Sequence, residues 1–162
     1  KATAVMAATG LAALADDTGL LVDALDGAPG VRTARYGGEP PDASANIAKL
    51  LGELASRRAH RPAQRRARFV TVVVVCWPDG RELVVQGVVA GNIAAEPRGT
   101  GGFGYDPVFV PDEGGGLTFA ELAPELKHGC SHRGRALRAL GPSAPGAEGA
   151  LYIRDAGSTS SS

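Results

Sequence analysis

The segment RFVTVVVVCW, residues 68–77, decides the fold, because six of its ten residues are β-branched. Pro78-Asp79-Gly80 follows it, and the same β-forming composition resumes from Glu82 to Ile93. A strand, a tight turn and a second strand predict a β-hairpin with two long arms. The nearly unbroken run from Val72 to Val75 indicates that the first arm is central in a sheet and buried on both faces.

Helices are predicted on both sides of this hairpin. Residues 1–9 are predicted to form the end of a helix, which terminates at Gly10. Apolar residues recur with helical spacing at Ile47, Leu50, Leu51 and Leu54, after Asp42 or Ser44 as a helix cap.

The C-terminal half carries signals for a short strand and two further helices. Residues 107–110 predict the strand. Thr118 and Glu121 form a capping box that predicts a helix through Leu126, and another helix is expected from about Ser131 to Leu140. We therefore expect one domain over residues 1–140. The Pro, Gly, Ala and Ser composition of residues 141–162 predicts a flexible tail.

The bulk composition narrows the class of protein. The chain has 162 residues, 44% of them hydrophobic, and its 17 basic and 17 acidic side chains cancel. Nothing in that balance indicates a nucleic-acid or membrane partner, and the longest apolar run, Phe69 to Trp77, is too short to span a bilayer. The two cysteines, Cys76 and Cys130, form no disulfide framework or Cys-x-x-Cys pair. A cytoplasmic protein is expected.

Two segments carry chemistry. Asp16-Asp17-Thr18-Gly19 lies between the short apolar segments 11–15 and 20–22, so we expect the acids at a strand end. Adjacent carboxylates there suit a Mg²⁺ ion on a bound phosphate, although paired acids in a turn are often only solvated. Farther along, Gly102 to Pro107 sets aromatic rings and a carboxylate among glycines. That loop either is simply flexible or folds over a flat ligand, presenting Phe103 or Tyr105.

Three cation-capable side chains follow the glycine-rich loop. Lys127, His132 and Arg133 lie at the end of one predicted helix and the start of the next. Basic residues there often only favour a helix dipole, but Ser131 at the helix start makes an anion site natural.

Two other patterns carry less weight. Residues 99–104 match the G-x-G-x-x-G dinucleotide pattern, but Asp106-Pro107 prevents a helix from opening there, so we reject the match. The arginine-rich run 57–68 is interpreted mainly as a solvated connection, with RNA binding as a remote alternative.

Taken together, these residues resemble the inosine triphosphate pyrophosphatases. The matching stretches keep the family's order and cover most of residues 1–140: residues 15–20, 22–25, 27–31, 34–36, 101–107, 118–122, 127 and 131–137. The resemblance implies an α/β fold with an elongated mixed sheet, flanking helices and a cleft between two lobes, usually in a homodimer. It also implies Mg²⁺-dependent hydrolysis of ITP, dITP and XTP to the monophosphate and pyrophosphate.

The resemblance also assigns roles to individual residues. Asp17 would be the proton acceptor and a metal ligand, with Asp16 beside it as a second ligand. Substrate contacts would come from Thr18, where the family usually has Ser, and from Phe103, Gly104, Tyr105, Asp106, Lys127, His132 and Arg133. Donors from His132 and Arg133 could satisfy the oxygen at position 6 of hypoxanthine or xanthine, where adenine carries an amino group.

One departure from the family leaves an alternative open. The family's phosphate-gripping Ser/Thr-x-Asn-x-x-Lys loop and its metal-binding Glu have no counterpart after Lys1. The alternative to an active pyrophosphatase is therefore a catalytically impaired nucleotide-binding remnant.

Overall fold

The valine-rich hairpin forms the centre of the sheet. The computed structural model describes residues 1–141 and 151–153. Strand β3 (Arg66–Cys76) pairs antiparallel with β4 (Glu82–Ile93) over its full length. β3 is paired on both sides, which confirms that the first arm is central. Burial is complete on one face only: Val73 and Val75 are fully buried, whereas Val72 and Val74 on the other face are partly buried.

Strand β1 (Ala13–Val22) lies on the other side of β3 and is antiparallel to it, with Thr18 opposite Thr71. The short strands β2 (Pro29–Gly30) and β5 (Phe109–Pro111) extend the sheet to the order β2-β1-β3-β4-β5. Strand β6 (Leu151–Ile153) adds to β1 in parallel, opposite Ala13–Ala15. The sheet is therefore mixed, and the predicted α/β class is confirmed.

Four α-helices in the described part of the chain accompany the sheet. Helix α1 (Ala2–Thr9) ends at Gly10, whose φ of 68° is the left-handed conformation of a C-terminal cap. Helix α2 (Ala43–Ser56) is capped by Asp42, which accepts a 2.9 Å hydrogen bond from the Ala45 N–H. Helices α3 (Pro124–Cys130) and α4 (His132–Leu140) follow each other closely. The Ser131 hydroxyl oxygen caps α4 by accepting from the Gly134 N–H at 3.1 Å.

The two faces of the sheet are packed differently. Side chains alternate along a strand, so Leu14, Asp16, Thr18 and Leu20 share one face of β1. That face carries α2, through a core that includes Leu50 and Leu54, and α4, through a core that includes Ala136 and Leu140. The opposite face of β1 presents Ala13 and Ala15 to α1. As a result, the start of α4 lies over the acidic part of β1.

The structure corrects one strand prediction. The two apolar segments around the acids are not separate, because β1 runs without a break from Ala13 to Val22. Asp16 and Asp17 lie in its middle and not at a strand end. Their placement is possible because each carboxylate has a polar environment within the fold, described below.

The structure also corrects one helix prediction. Half of the capping box forms, since Glu121 Oε2 accepts from the Thr118 N–H at 2.7 Å. The Thr118 hydroxyl, however, donates to the Arg98 carbonyl and not to its own turn. Residues 119–121 form a turn, and α3 begins only at Pro124.

The arginine-rich run connects α2 to β3, as interpreted. Arg57, Arg66 and Arg68 form ion pairs with Asp26, Asp112 and Asp23. Arg65 is buried and donates to the carbonyls of Ala59, Ile93 and Ala94.

Two further predictions concern the chain's ends and its relation to membranes. Three residues of the predicted tail form β6, and residues 142–150 and 154–162 lie outside the described part of the chain. Among the described helices, none has the length and apolar character needed to cross a bilayer.

Candidate active site

A cavity of about 350 Å³ opens where β1, the glycine-rich loop 99–104 and the starts of α2 and α4 meet. The residues predicted from the sequence line it, with one exception: Asp16, Asp17, Thr18, Phe103, Gly104, Tyr105, Asp106, His132 and Arg133 are on its wall, and Lys127 is not. The fold therefore brings together two segments that lie more than eighty residues apart in the sequence.

The two acids of β1 face opposite ways. Asp16 shares the α4 face with Thr18 and is buried, with 5% of its surface exposed. Asp17 points to the other face and is exposed. Adjacent residues in the sequence thus have different surroundings.

Asp17 lies at a gap in the edge of the sheet. The outer edge of β1 is covered by β6 at Ala13–Ala15 and by β2 at Leu20 and Leu21, and no described strand pairs with it between them. In this gap Asp17 Oδ1 accepts a 3.0 Å hydrogen bond from the Thr18 N–H. Asp17 is exposed and is among the residues that line the cavity.

Thr18 lines the cavity from the face of β1 that it shares with Asp16. The hydroxyl oxygen lies 2.8 Å from that of Thr71, its direct partner on β3, and either group can donate. Thr71 is fully buried. Because the Thr71 hydroxyl is buried and bonds to Thr18, it restricts the rotation of the Thr18 hydroxyl.

The loop that carries Phe103 is held by Asp106. Asp106 Oδ2 accepts 2.6 Å bonds from the Phe103 N–H and from Lys127 Nζ. Lys127 Nζ also lies 5.1 Å from the centroid of the Phe103 ring. Gly102 is required here, because a Cβ atom at this position would lie 2.1 Å from Asp106 Oδ2. In this structure Lys127 therefore supports the loop from behind the cavity wall.

Of the two aromatic rings proposed for a flat ligand, the structure favours Phe103. Its side chain is 47% exposed, whereas Tyr105 is 3% exposed. The Tyr105 hydroxyl donates to the Thr33 carbonyl at 3.0 Å. Burial is the main cause that raises the pKa of Tyr105, so it stays protonated and ties the loop to the segment after β2.

His132 is a buried, neutral group at the cavity wall. Its ring stacks on Phe69, with centroids 4.6 Å apart and an interplanar angle of 17°. Burial, followed by the charges of Arg133 and Lys127, lowers the pKa of His132 to about 3. Its Nδ1 atom is buried and has no hydrogen-bond partner among the described residues. A buried polar atom without a partner is costly, which suits a position that a ligand completes.

Arg133 is fixed by the first acid of β1. Its Nε donates to Asp16 Oδ2 at 2.8 Å, and its Nη2 lies 2.8 Å from the same oxygen. The side chains are 20% and 3% exposed. The guanidinium carbon lies 5.9 Å from the Phe103 ring centroid. The cavity wall thus includes an exposed ring, a cation, a neutral imidazole and the exposed Asp17.

Sequence reasoning missed part of the cavity wall. The additional lining residues are Val31, Thr33, Ala34, Pro41, Asp42, Ala43, Asn46 and Phe69. Asn46 is 4% exposed and donates to the Ala34 carbonyl while accepting from the Gly37 N–H. An asparagine on the apolar face of a predicted amphipathic helix was a readable signal, because a buried amide needs partners.

The described residues contain no group of three or more His, Cys, Asp and Glu side chains placed to hold a metal ion by themselves. A cation at this site would need ligands from a bound substrate or water in addition to Asp17. Such sharing is typical of Mg²⁺ sites on nucleotides.

An α/β fold whose cavity gathers an exposed aromatic ring, a guanidinium and an exposed aspartate is typical of a nucleotide-binding class of protein. The model of the Ham1 family matches residues 1–143, and the chain belongs to this family. It is 53% identical over 142 residues to the dITP/XTP pyrophosphatase of Mycolicibacterium paratuberculosis, covering 88% of this chain and 68% of that protein. The Nocardia farcinica protein of the same name is 52% identical over 143 residues, covering 88% and 67%.

Solved structures agree with this assignment. The Staphylococcus aureus Ham1 protein superimposes with a TM-score of 0.78 at 41% identity, covering 86% of this chain and 69% of that one. The dITP/XTP pyrophosphatase from Mycobacterium abscessus gives a TM-score of 0.73 at 50% identity, covering 87% and 72%. The chain therefore spans about two thirds of the length of these relatives.

Proposed function

We propose that this protein hydrolyses inosine- and xanthine-type purine nucleoside triphosphates to the monophosphate and pyrophosphate. The observation that carries the proposal is the single cavity shared by Asp17, Phe103, His132 and Arg133. Relatives named dITP/XTP pyrophosphatases, at about half identity over most of the chain, favour this hydrolase over a catalytically impaired remnant.

The base is held at the Phe103 end. The half-exposed ring offers a stacking surface, and stacking adds affinity for every base without distinguishing them. Arg133 supplies donors toward the oxygen at position 6 of hypoxanthine or xanthine. Adenine presents an amino group there, so a donor would face a donor. One unsatisfied buried donor costs about 1–3 kcal/mol, which is roughly ten- to hundredfold in preference.

His132 contributes to the same discrimination as a neutral group. With its pKa lowered to about 3, the ring carries no charge near neutral pH. A neutral imidazole has one donor and one acceptor nitrogen. Nδ1 has no partner among the described residues, so it can hydrogen-bond to the edge of the base. A neutral ring can do so as a donor or as an acceptor, whereas a charged ring could only donate.

The phosphates are assigned to the Asp17 end. The exposed carboxylate can accept a proton from an attacking water and can ligate a cation. The Thr18 hydroxyl, held by Thr71, can donate to a phosphate oxygen or to the sugar. These groups bind and orient the triphosphate while the base remains on Phe103.

The site fits Mg²⁺ through Asp17 and not through Asp16. Mg²⁺ on a nucleotide is commonly held by one or two carboxylates together with phosphate oxygens and waters. Asp17 meets this need as an exposed carboxylate, whereas Asp16 Oδ2 already receives two N–H groups of Arg133. When bound, the ion would neutralise charge on the phosphate oxygens and polarise the phosphorus. A homodimer remains a prediction from the family resemblance, and a cytoplasmic location remains a prediction from the composition and the cysteines.

Product analysis tests the proposal. The purified protein is incubated with MgCl₂ and dITP, XTP, dATP or dGTP, and the products are separated by anion-exchange chromatography. We expect dIMP and pyrophosphate from dITP, little turnover of dATP, and a loss of at least a hundredfold in kcat for Asp17→Asn. Asp79→Asn, on the exposed hairpin turn, is the matched control and should retain full activity. Release of orthophosphate and dIDP, or equal turnover of dATP, would refute the assignment.

A further inference from the structure

The first acid of β1 has a partner that its neighbour lacks. Asp16 lies on the α4 face of the sheet, and one of its oxygens receives both Nε and Nη2 of Arg133 at 2.8 Å. A carboxylate and a guanidinium that are both largely buried compensate each other's charge, and removing one leaves the other uncompensated. The pair joins residues 117 positions apart in the sequence.

This contact determines which part of Arg133 meets the cavity. With Nε and Nη2 directed at Asp16, Nη1 makes no hydrogen bond within the described part of the chain. The guanidinium carbon lies 5.9 Å from the centroid of Phe103, the exposed ring. The planar guanidinium keeps its five N–H groups in fixed directions, so holding two of its nitrogens aims the third.

We propose that Asp16 is a positioning residue that fixes Arg133 for base selection and is not a metal ligand. This inference rests on the proposed function. It replaces the expectation that both acids of the Asp-Asp pair hold the cation, and it divides their roles. Asp17 serves the phosphate end of the cavity, and Asp16 serves the base end through Arg133.

The kinetic test compares the wild type with Asp16→Asn and with Asp112→Asn. Asn has the shape of Asp without its charge, so the pair with Arg133 is weakened and the packing is kept. Asp112 forms an exposed two-bond pair with Arg66 away from the cavity and is the control for loss of an Asp–Arg pair. For each protein we measure kcat/KM for dITP and dATP, and the Mg²⁺ concentration that gives half the maximal rate.

The positioning role predicts a distinct pattern. Asp16→Asn should reduce the dITP preference over dATP by about tenfold or more, the size expected for one misplaced donor. Its Mg²⁺ requirement should change by less than about twofold, and Asp112→Asn should match the wild type in both. Calorimetry with dIMP in EDTA should show weaker binding to Asp16→Asn, and that readout involves no metal. An unchanged base preference and dIMP affinity, with a tenfold higher Mg²⁺ requirement, would overturn the proposal.

A measurement on the wild type tests the same proposal if Asp16→Asn does not fold. The Arg133 Nε–H signal, assigned by its loss in Arg133→Lys, is followed by nitrogen-15 NMR during a Mg²⁺ titration with dIMP present. A signal that keeps its shift and its protection from exchange is expected. A signal that moves or loses protection as Mg²⁺ binds would show Asp16 leaving Arg133 for the ion. Absence of dITP hydrolysis by the wild type would instead refute the proposed function.

Discussion

Gly87 offers the sharpest test of how α4 is held over the active site. It lies on β4 opposite Thr71 and beneath the start of α4. A Cβ atom built there would be 1.9 Å from the His132 carbonyl oxygen and 2.5 Å from the Ala136 nitrogen. Both are backbone atoms, so a rotamer change cannot relieve the contact. Restoring an ordinary separation requires α4 to move by about 1.5 Å.

We expect Gly87→Ala to reduce both stability and activity. Forcing extra volume into a packed interior typically costs about 1–3 kcal/mol of the free energy of unfolding. The same movement displaces His132 and Arg133, and an error of about 1 Å in positioning can cost roughly a hundredfold in rate. Urea unfolding followed by circular dichroism gives the first quantity, and kcat/KM for dITP gives the second.

Gly52 is the matched control glycine. It is exposed on α2, and a Cβ atom there would meet nothing within 4 Å. Gly52→Ala should raise the free energy of unfolding by up to about 1 kcal/mol through helix propensity and leave kcat/KM unchanged. A Gly87→Ala protein with the stability and kcat/KM of the wild type would refute the reasoning about α4.

Three further predictions concern single side chains. The pKa of His132 is about 3 in the folded protein, and its ordinary value is 6.5. Between these pH values unfolding takes up a proton, so the part of the unfolding free energy that is present above pH 6.5 is lost as the pH falls. His132→Gln should therefore flatten the dependence of the unfolding free energy on pH by about 1.4 kcal/mol per unit between pH 4 and 6, and an unchanged slope in urea melts would contradict this. Thr71→Val removes the partner of the Thr18 hydroxyl and should raise KM for dITP about fivefold. Thr71→Ser keeps a hydroxyl and should have the KM of the wild type. Equal KM values for Thr71→Val and the wild type would count against the contact. Asn46→Ala leaves the Ala34 carbonyl and the Gly37 N–H without their partner and should cost about 2 kcal/mol in urea unfolding, more than the cost of Ser44→Ala on the exposed side of α2.

The parts of the fold that the sequence predicted are those set by local chemistry. The β-branching of residues 68–77 and 82–93 and the turn between them predict the hairpin. Asp42, one of two expected caps, caps α2, and α4 begins directly after Ser131, where a helix start was expected. In each case, the decisive interaction lies within a few residues of the signal.

The parts that were wrong depend on distant contacts. Two acids in succession resemble a turn, yet β1 continues through them because Arg133, 117 residues later, compensates Asp16, and Asp17 meets an open sheet edge. Similarly, the Thr118 hydroxyl donates to the Arg98 carbonyl, so the helix that the capping box predicts does not begin at Thr118. The role of Lys127 as a substrate contact stays a prediction, but its bond to Asp106 could not be read from spacing.

The most direct measurement is a crystal structure of the protein with a hydrolysis-resistant dITP analogue and Mg²⁺. The account predicts one analogue molecule with its base stacked on Phe103, its position-6 oxygen facing Arg133, and its phosphates beside Asp17. A base bound elsewhere, or phosphates directed away from the gap in the edge of β1, would contradict it.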